Sequence, residues 1–100
     1  MKIGVMKEIK PSEYRVAAVP SAVAELVRRG HEVFVEHDAG KGSGFSDDDY
    51  REAGATVEAD AAKIWNSVDM VYKVKEIFPE EYQYLRKDMI VFTYIHSNAH

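Results

Sequence analysis

Short β-branched stretches alternate with segments of helical periodicity along almost the whole chain. Helix starts and stops fall between them, at Pro20 and Gly30, at Ser46 and Gly54, and at Asp60. This alternation predicts an α/β fold, an open and mainly parallel sheet with helices on both faces and right-handed crossovers. The sheet is of the Rossmann-like or flavodoxin-like kind.

Each element has a local reason. Lys2 to Met6 reads as a short buried strand ended by the charges of Lys7-Glu8. A polar loop follows from Lys7 to Val19, longer than the usual strand-to-helix connection of about 2–6 residues, and loops of that length often carry function. Pro20 opens a helix because its missing N–H is not needed there. Val23, Leu26 and Val27 then repeat at helical spacing up to Gly30. His31 to Glu36 alternates as a second strand. After a glycine-rich loop, Asp38 to Phe45, Ser46 caps a short helix with Asp49 three residues on. Ala55 to Val57 forms a minor strand, and Asp60 caps a helix running through Trp65. Val68 to Val74 is rich in β-formers. Pro79 starts a short helix with Tyr82 and Leu85 on one side, and Met89 to Ile95 is the last strand. The chain stops at His100 with no helix to cover that strand, so the sheet reads as truncated at its C-terminus, with an apolar face formed by Met89, Val91 and Phe92 or their neighbours and a tendency to self-associate.

Composition narrows the function classes. A 100-residue chain that is 46% hydrophobic and 30% charged suits one small soluble domain. A net charge of -4 argues against nucleic-acid binding, which needs a clustered excess of Lys and Arg. There is no cysteine, which removes disulfides, thiolate metal sites and a cysteine nucleophile, and is compatible with a reducing cytoplasm. The apolar stretch within MKIGVMKEIK is too short for a signal-peptide core, and no apolar run approaches the roughly 18 residues of a membrane span.

In an open parallel sheet, ligands bind outside the carboxyl ends of the strands. The first strand leads to Arg15, the fourth ends at Lys75-Glu76, and the last ends at His96, so three cationic or titratable groups fall on one edge. A guanidinium takes a carboxylate in a bidentate fork, a lysine adds a compact second charge, and a histidine near its ordinary pKa exchanges a proton with a carbonyl or hydroxyl oxygen. The set suits carbonyl chemistry on a small 2-oxo or 2-amino acid. Singly, each has a blander reading: an arginine in a polar loop is usually solvated, and a strand-end histidine is as often satisfied by backbone bonding. His31, His37 and His100 lack a comparable setting, and with no acidic or histidine cluster in the sequence no metal site is expected. The run Gly40-Lys41-Gly42-Ser43-Gly44 lacks the further glycine of a dinucleotide-binding turn and the spacing of a P-loop. It precedes Asp47-Asp48-Asp49, which would repel a phosphate, so it reads as a structural turn.

Several stretches resemble the start of alanine dehydrogenase in order and spacing: Lys2-Ile3-Gly4-Val5 with Lys7-Glu8-Ile9, Glu13-Tyr14-Arg15-Val16-Ala17, Gly30-His31-Glu32-Val33, GKGSGFSD from Gly40 to Asp47, Ala53-Gly54-Ala55, Asp69-Met70-Val71 with Lys73-Val74-Lys75-Glu76, and Phe92-Thr93-Tyr94 before His96. The combination is specific to the alanine dehydrogenase and transhydrogenase superfamily, which includes saccharopine dehydrogenase. The resemblance implies that residues 1–100 are the N-terminal substrate-binding domain of an enzyme interconverting L-alanine and pyruvate with NAD, in the cytoplasm and as a homo-oligomer. It implies that Arg15 holds the substrate carboxylate, Lys75 binds the carboxylate or oxo oxygen, and His96 is the acid/base on the oxygen of the carbonyl and carbinolamine. The glycine turn that binds NAD and a catalytic aspartate belong to a later domain in that family, absent from this chain, which alone would be inactive. Where the family follows its histidine with Leu and small residues, this chain has Ser97-Asn98-Ala99-His100, which leaves another amino acid or an opine-like product open. A saccharopine dehydrogenase-like or transhydrogenase member, and a non-catalytic module binding a small carboxylate or a protein partner, are the alternatives.

Overall fold

The computed structural model describes residues 1–9, 13–75 and 77–93. Five parallel strands, β1 (Lys2–Val5), β2 (Glu32–Glu36), β3 (Thr56–Glu58), β4 (Met70–Lys73) and β5 (Ile90–Thr93), form one sheet in the order β3-β2-β1-β4-β5. The helices are α1 (Pro20–Arg28), α2 (Asp47–Glu52) and α3 (Ala61–Ser67), with 3-10 turns at Lys41–Ser43 and Pro79–Tyr84. The predicted α/β class and parallel sheet are therefore observed.

Strand alternation distributes the core over two faces. Val5, Val33 and Val35 point toward α1 and α2, where they pack with Val23 and Tyr50. Val71 and Phe34 point the other way, onto Ile64 and Trp65 of α3. Gly4 lies on that second face because the helix comes too close for a side chain. A Cβ there would stand 2.8 Å from Ile64 Cγ2 and 3.3 Å from Val68 Cγ1.

Local signals act as expected at the helix ends. Pro20 opens α1, Ser46 and Asp49 close a reciprocal capping box on α2, and Asp60 accepts from the Ala62 amide at the start of α3. Tyr50, fully buried, donates its hydroxyl to Ala18 O at 2.8 Å and so ties α2 to the loop before α1. Burial, with the charge of Asp49 adding to it, pushes that phenol up to about 12.

Two expectations are corrected, and a third, the apolar face on the last strand, is made more exact. Val68 is the C-cap of α3 rather than strand, since Arg86 reaches the carbonyls of Trp65 and Val68 at 2.6 Å each and satisfies the helix end. The Pro79–Tyr84 turn exposes Tyr82, as it does Leu85 beyond it, and buries Glu81, while Tyr84 stacks on Trp65 with ring centroids 5.5 Å apart. On the last strand the half-exposed residues are Ile90 and Phe92, whereas Met89 packs on the Trp65 cluster.

Candidate functional site

The strand order reverses direction at β1. Successive strands run to one side through β2 and β3, and β4 and β5 lie on the other, so the loops leaving β1 and β4 part and open a crevice at their carboxyl ends. The residues lining that crevice include Lys7 and Glu8 after β1 and Asp38 and Ala39 after β2, and Lys75 after β4 approaches it through Glu13.

Its floor is a buried charge cluster. Lys73, at the end of β4, is 0% exposed, and its ammonium lies 3.3 Å from Glu8 Oε1 and 3.3 Å from Glu81 Oε2. The Phe78 ring lies below it, with its centroid 5.9 Å from Nζ. Both carboxylates have further donors: Glu8 accepts from the Val74 and Lys75 amides at 3.0 and 3.2 Å, and Glu81 from the Phe78 amide at 3.0 Å. Pairing and these amide bonds offset the desolvation of the three charges. Because the Glu8 carboxylate binds the backbone on which Lys75 sits, the cluster ties the loop after β1 to the end of β4.

Above it, Arg15 and Lys75 converge on one carboxylate. Glu13 accepts from Arg15 Nε and Nη2, both at 2.9 Å, and from the Arg15 amide at 3.0 Å, while Lys75 Nζ stands 3.9 Å from its Oε1. The Glu13 side chain is 6% exposed and that of Arg15 59%, so the anion lies inside and the guanidinium outside. The Arg15 hydrogen bonds hold the Glu13 carboxyl down at about 2, and Glu13 in turn raises the guanidinium above its ordinary value. A cavity of about 510 Å³ opens here, lined by Lys7, Glu8, Glu13, Arg15, Asp38 and Lys41 among others. Lys75 meets this cavity through Glu13 rather than as part of its wall. Two of the three residues singled out in the sequence are thus brought together, and His96 lies outside the described residues.

The glycine-rich loop has a positioning role. A Cβ on Gly42 would stand 3.0 Å from Tyr14 Cα and from Tyr14 O, and Ser43 Oγ donates to Tyr14 O at 2.7 Å, so the loop packs against the backbone beside Arg15. It does not fit a pyrophosphate of NAD. The Ser46 and Asp49 side chains already occupy the amides at the start of α2, whose first turn is three aspartates. The fold does create an acid–histidine cluster that the sequence order conceals. One ligand atom from each of His37, Asp38 and Asp47 lies within 4.8 Å of the others. His37 Nδ1 bonds Asp47 and its Nε2 stands 3.4 Å from Asp38, so both ring nitrogens face carboxylates. Burial acts to raise the Asp47 carboxyl, but the Asp38 amide and His37 outweigh it and leave it lowered.

Sequence reasoning did not single out Glu8, Glu13, Lys73, Glu81 or Ser43. For Glu13 a signal was present, since a carboxylate two residues before an arginine in an extended loop can reach back to its guanidinium.

A parallel sheet whose loops part at β1 and β4, with charged side chains of both signs gathered at that crevice, defines an open α/β domain with a cavity at its topological switch point. The chain belongs to the family described as alanine dehydrogenase/PNT, N-terminal domain, whose model matches residues 4–100. It is 53% identical over 99 residues to an alanine dehydrogenase of Halomonas elongata and 52% identical over 99 residues to one of Bacillus subtilis. Those matches take in 99% of this chain but only 27% and 26% of the relatives, so the chain spans about a quarter of their length. Among solved structures, an L-alanine dehydrogenase superposes with a TM-score of 0.89 at 53% identity, and a transhydrogenase from Sinorhizobium meliloti with 0.86 at 32%. Each covers 93% of this chain and 26% of the other.

Proposed function

We propose that this domain supplies the substrate side of an NAD-dependent alanine dehydrogenase, in which L-alanine, NAD and water give pyruvate, ammonium and NADH. The observation that carries the reading is the convergence of Arg15 and Lys75 on one carboxylate, beside a cavity of about 510 Å³ at the switch point of the sheet. With its Nε edge on Glu13, Arg15 offers its remaining N–H groups to the substrate carboxylate, and Lys75 adds positive charge beside that carboxylate or the oxo oxygen. His96 exchanges a proton with the oxygen of the carbonyl and of the carbinolamine. NAD belongs on this reading to a part of the protein outside these 100 residues, since the turn from Gly40 to Gly44 does not fit it.

The greater identity to alanine dehydrogenases, 53% against 32%, favours this over a transhydrogenase. Among the described residues no helix is long and apolar enough to cross a membrane. A cytoplasmic homo-oligomer is part of the same proposal, and the half-exposed Ile90 and Phe92 on the edge strand are consistent with association there. Kinetics on the full-length protein test the assignment. Arg15→Ala and Lys75→Ala should each raise the KM for pyruvate about tenfold or more, as expected for loss of a charge-assisted hydrogen bond. Unchanged KM in both would remove them from the site.

A further inference from the structure

Glu13 is the group around which the two cations are organised. Its carboxylate takes three donors from Arg15 and faces Lys75 at 3.9 Å, with its side chain only 6% exposed. Two consequences follow from that geometry. The Nε–Nη2 edge of the guanidinium is occupied, so an incoming carboxylate must approach Nη1 and the outer Nη2 hydrogen, which gives it one direction of entry. In addition, one of the two positive charges is already answered. The rest of the cavity wall is formally balanced, with Lys7 and Lys41 against Glu8 and Asp38.

We propose that Glu13 is a positioning and specificity-determining residue: it leaves Arg15 and Lys75 with a single unbalanced charge, so that the site accepts a monocarboxylate and rejects a dicarboxylate of the same size. A second carboxylate in the cavity would lie near the shielded carboxylate of Glu13, where repulsion is screened less than in water. The held-down carboxyl of Glu13 is consistent with its remaining an anion throughout the neutral range. The inference rests on the substrate-pocket reading of Arg15 and Lys75 and deepens it by assigning the charge of the acid that is admitted.

Oxamate and oxalate make the test, because both are planar two-carbon acids of nearly the size of pyruvate and they carry one and two negative charges at neutral pH. Their inhibition constants against pyruvate are measured on the full-length protein, and the ratio for oxamate over oxalate is read, which cancels any general loss of folding or of arginine alignment. Glu13→Gln should raise that ratio toward oxalate by about tenfold or more, since removing one charge changes only the dianion's penalty relative to the monoanion. Glu13→Asp keeps the charge and should keep the ratio within about threefold of the parent. If Glu13→Gln does not fold, Glu13→Ser removes the same charge with a smaller side chain and should shift the ratio in the same direction. A ratio within about twofold of the parent in the charge-removed variant, while Arg15→Ala still impairs pyruvate use, overturns the inference and leaves the pocket standing. Unimpaired pyruvate use in both Arg15→Ala and Lys75→Ala overturns the pocket, and this inference with it.

Discussion

Replacing Lys73 by methionine keeps the length of the side chain and removes the charge that holds Glu8 and Glu81 together. In the parent the ammonium is 3.3 Å from each carboxylate, with the three side chains 0%, 1% and 6% exposed. In Lys73→Met the two anions share a site without a cation, and only the amides of Val74, Lys75 and Phe78 still serve them. Breaking a buried pair in this way costs about 3–5 kcal/mol, a large part of the roughly 5–15 kcal/mol by which domains are stable. Calorimetry on the full-length protein measures the loss, and hydrogen exchange at the Val74 and Lys75 amides locates it. Adding Glu81→Leu to Lys73→Met should recover much of the stability, because the remaining carboxylate keeps its amide donors. A Lys73→Met protein within about 1 kcal/mol of the parent, with unchanged exchange at 74 and 75, would refute the claim that this cluster fixes the crevice floor.

Further outcomes follow from single contacts. Gly4→Ala places a methyl group 2.8 Å from Ile64 Cγ2 and should destabilise by about 1–3 kcal/mol, seen as faster exchange across α3. Tyr50→Phe leaves the Ala18 carbonyl without its hydroxyl partner and should cost about 1–3 kcal/mol in urea unfolding. The folded-state pKa of Glu13, about 2, lies below its ordinary 4.5. Its contribution to stability is therefore complete above about pH 4.5 and lost as pH falls toward about 2, and Glu13→Gln should flatten the stability profile in that window and nowhere else.

The scaffold was largely legible in the sequence because its signals are local. Pro20, the Ser46–Asp49 pair and Asp60 mark helix starts by backbone chemistry that needs no distant partner. The site was legible only in part. Period-two alternation puts Lys73 and Lys75 on the same side of an extended segment, but nothing local says that Lys73 is the one withdrawn from water. That is decided by Glu8, 65 residues away in sequence, and by Glu81 on the turn after Pro79. Read as a helix, the segment after Pro79 would carry Tyr82 and Leu85 on one side. The tighter 3-10 turn instead directs Glu81 inward to the ammonium. Glu13 was overlooked for the opposite reason, since it stands beside Arg15 in a polar loop where carboxylates are commonplace, and only the fold shows its side chain shielded. The His37–Asp47 contact likewise depends on the turn at Asp38, whose φ of 64° brings the two together.

The central claim is that the carboxylate of a small 2-oxo acid is received by Arg15, with Lys75 beside it. A crystal structure of the full-length protein with pyruvate bound tests this most directly. The account predicts a pyruvate carboxylate oxygen within about 2.7–2.9 Å of an Arg15 Nη atom, with Glu13 still on the Nε edge. Pyruvate bound away from Arg15, with the Arg15–Glu13 fork unchanged, would contradict it.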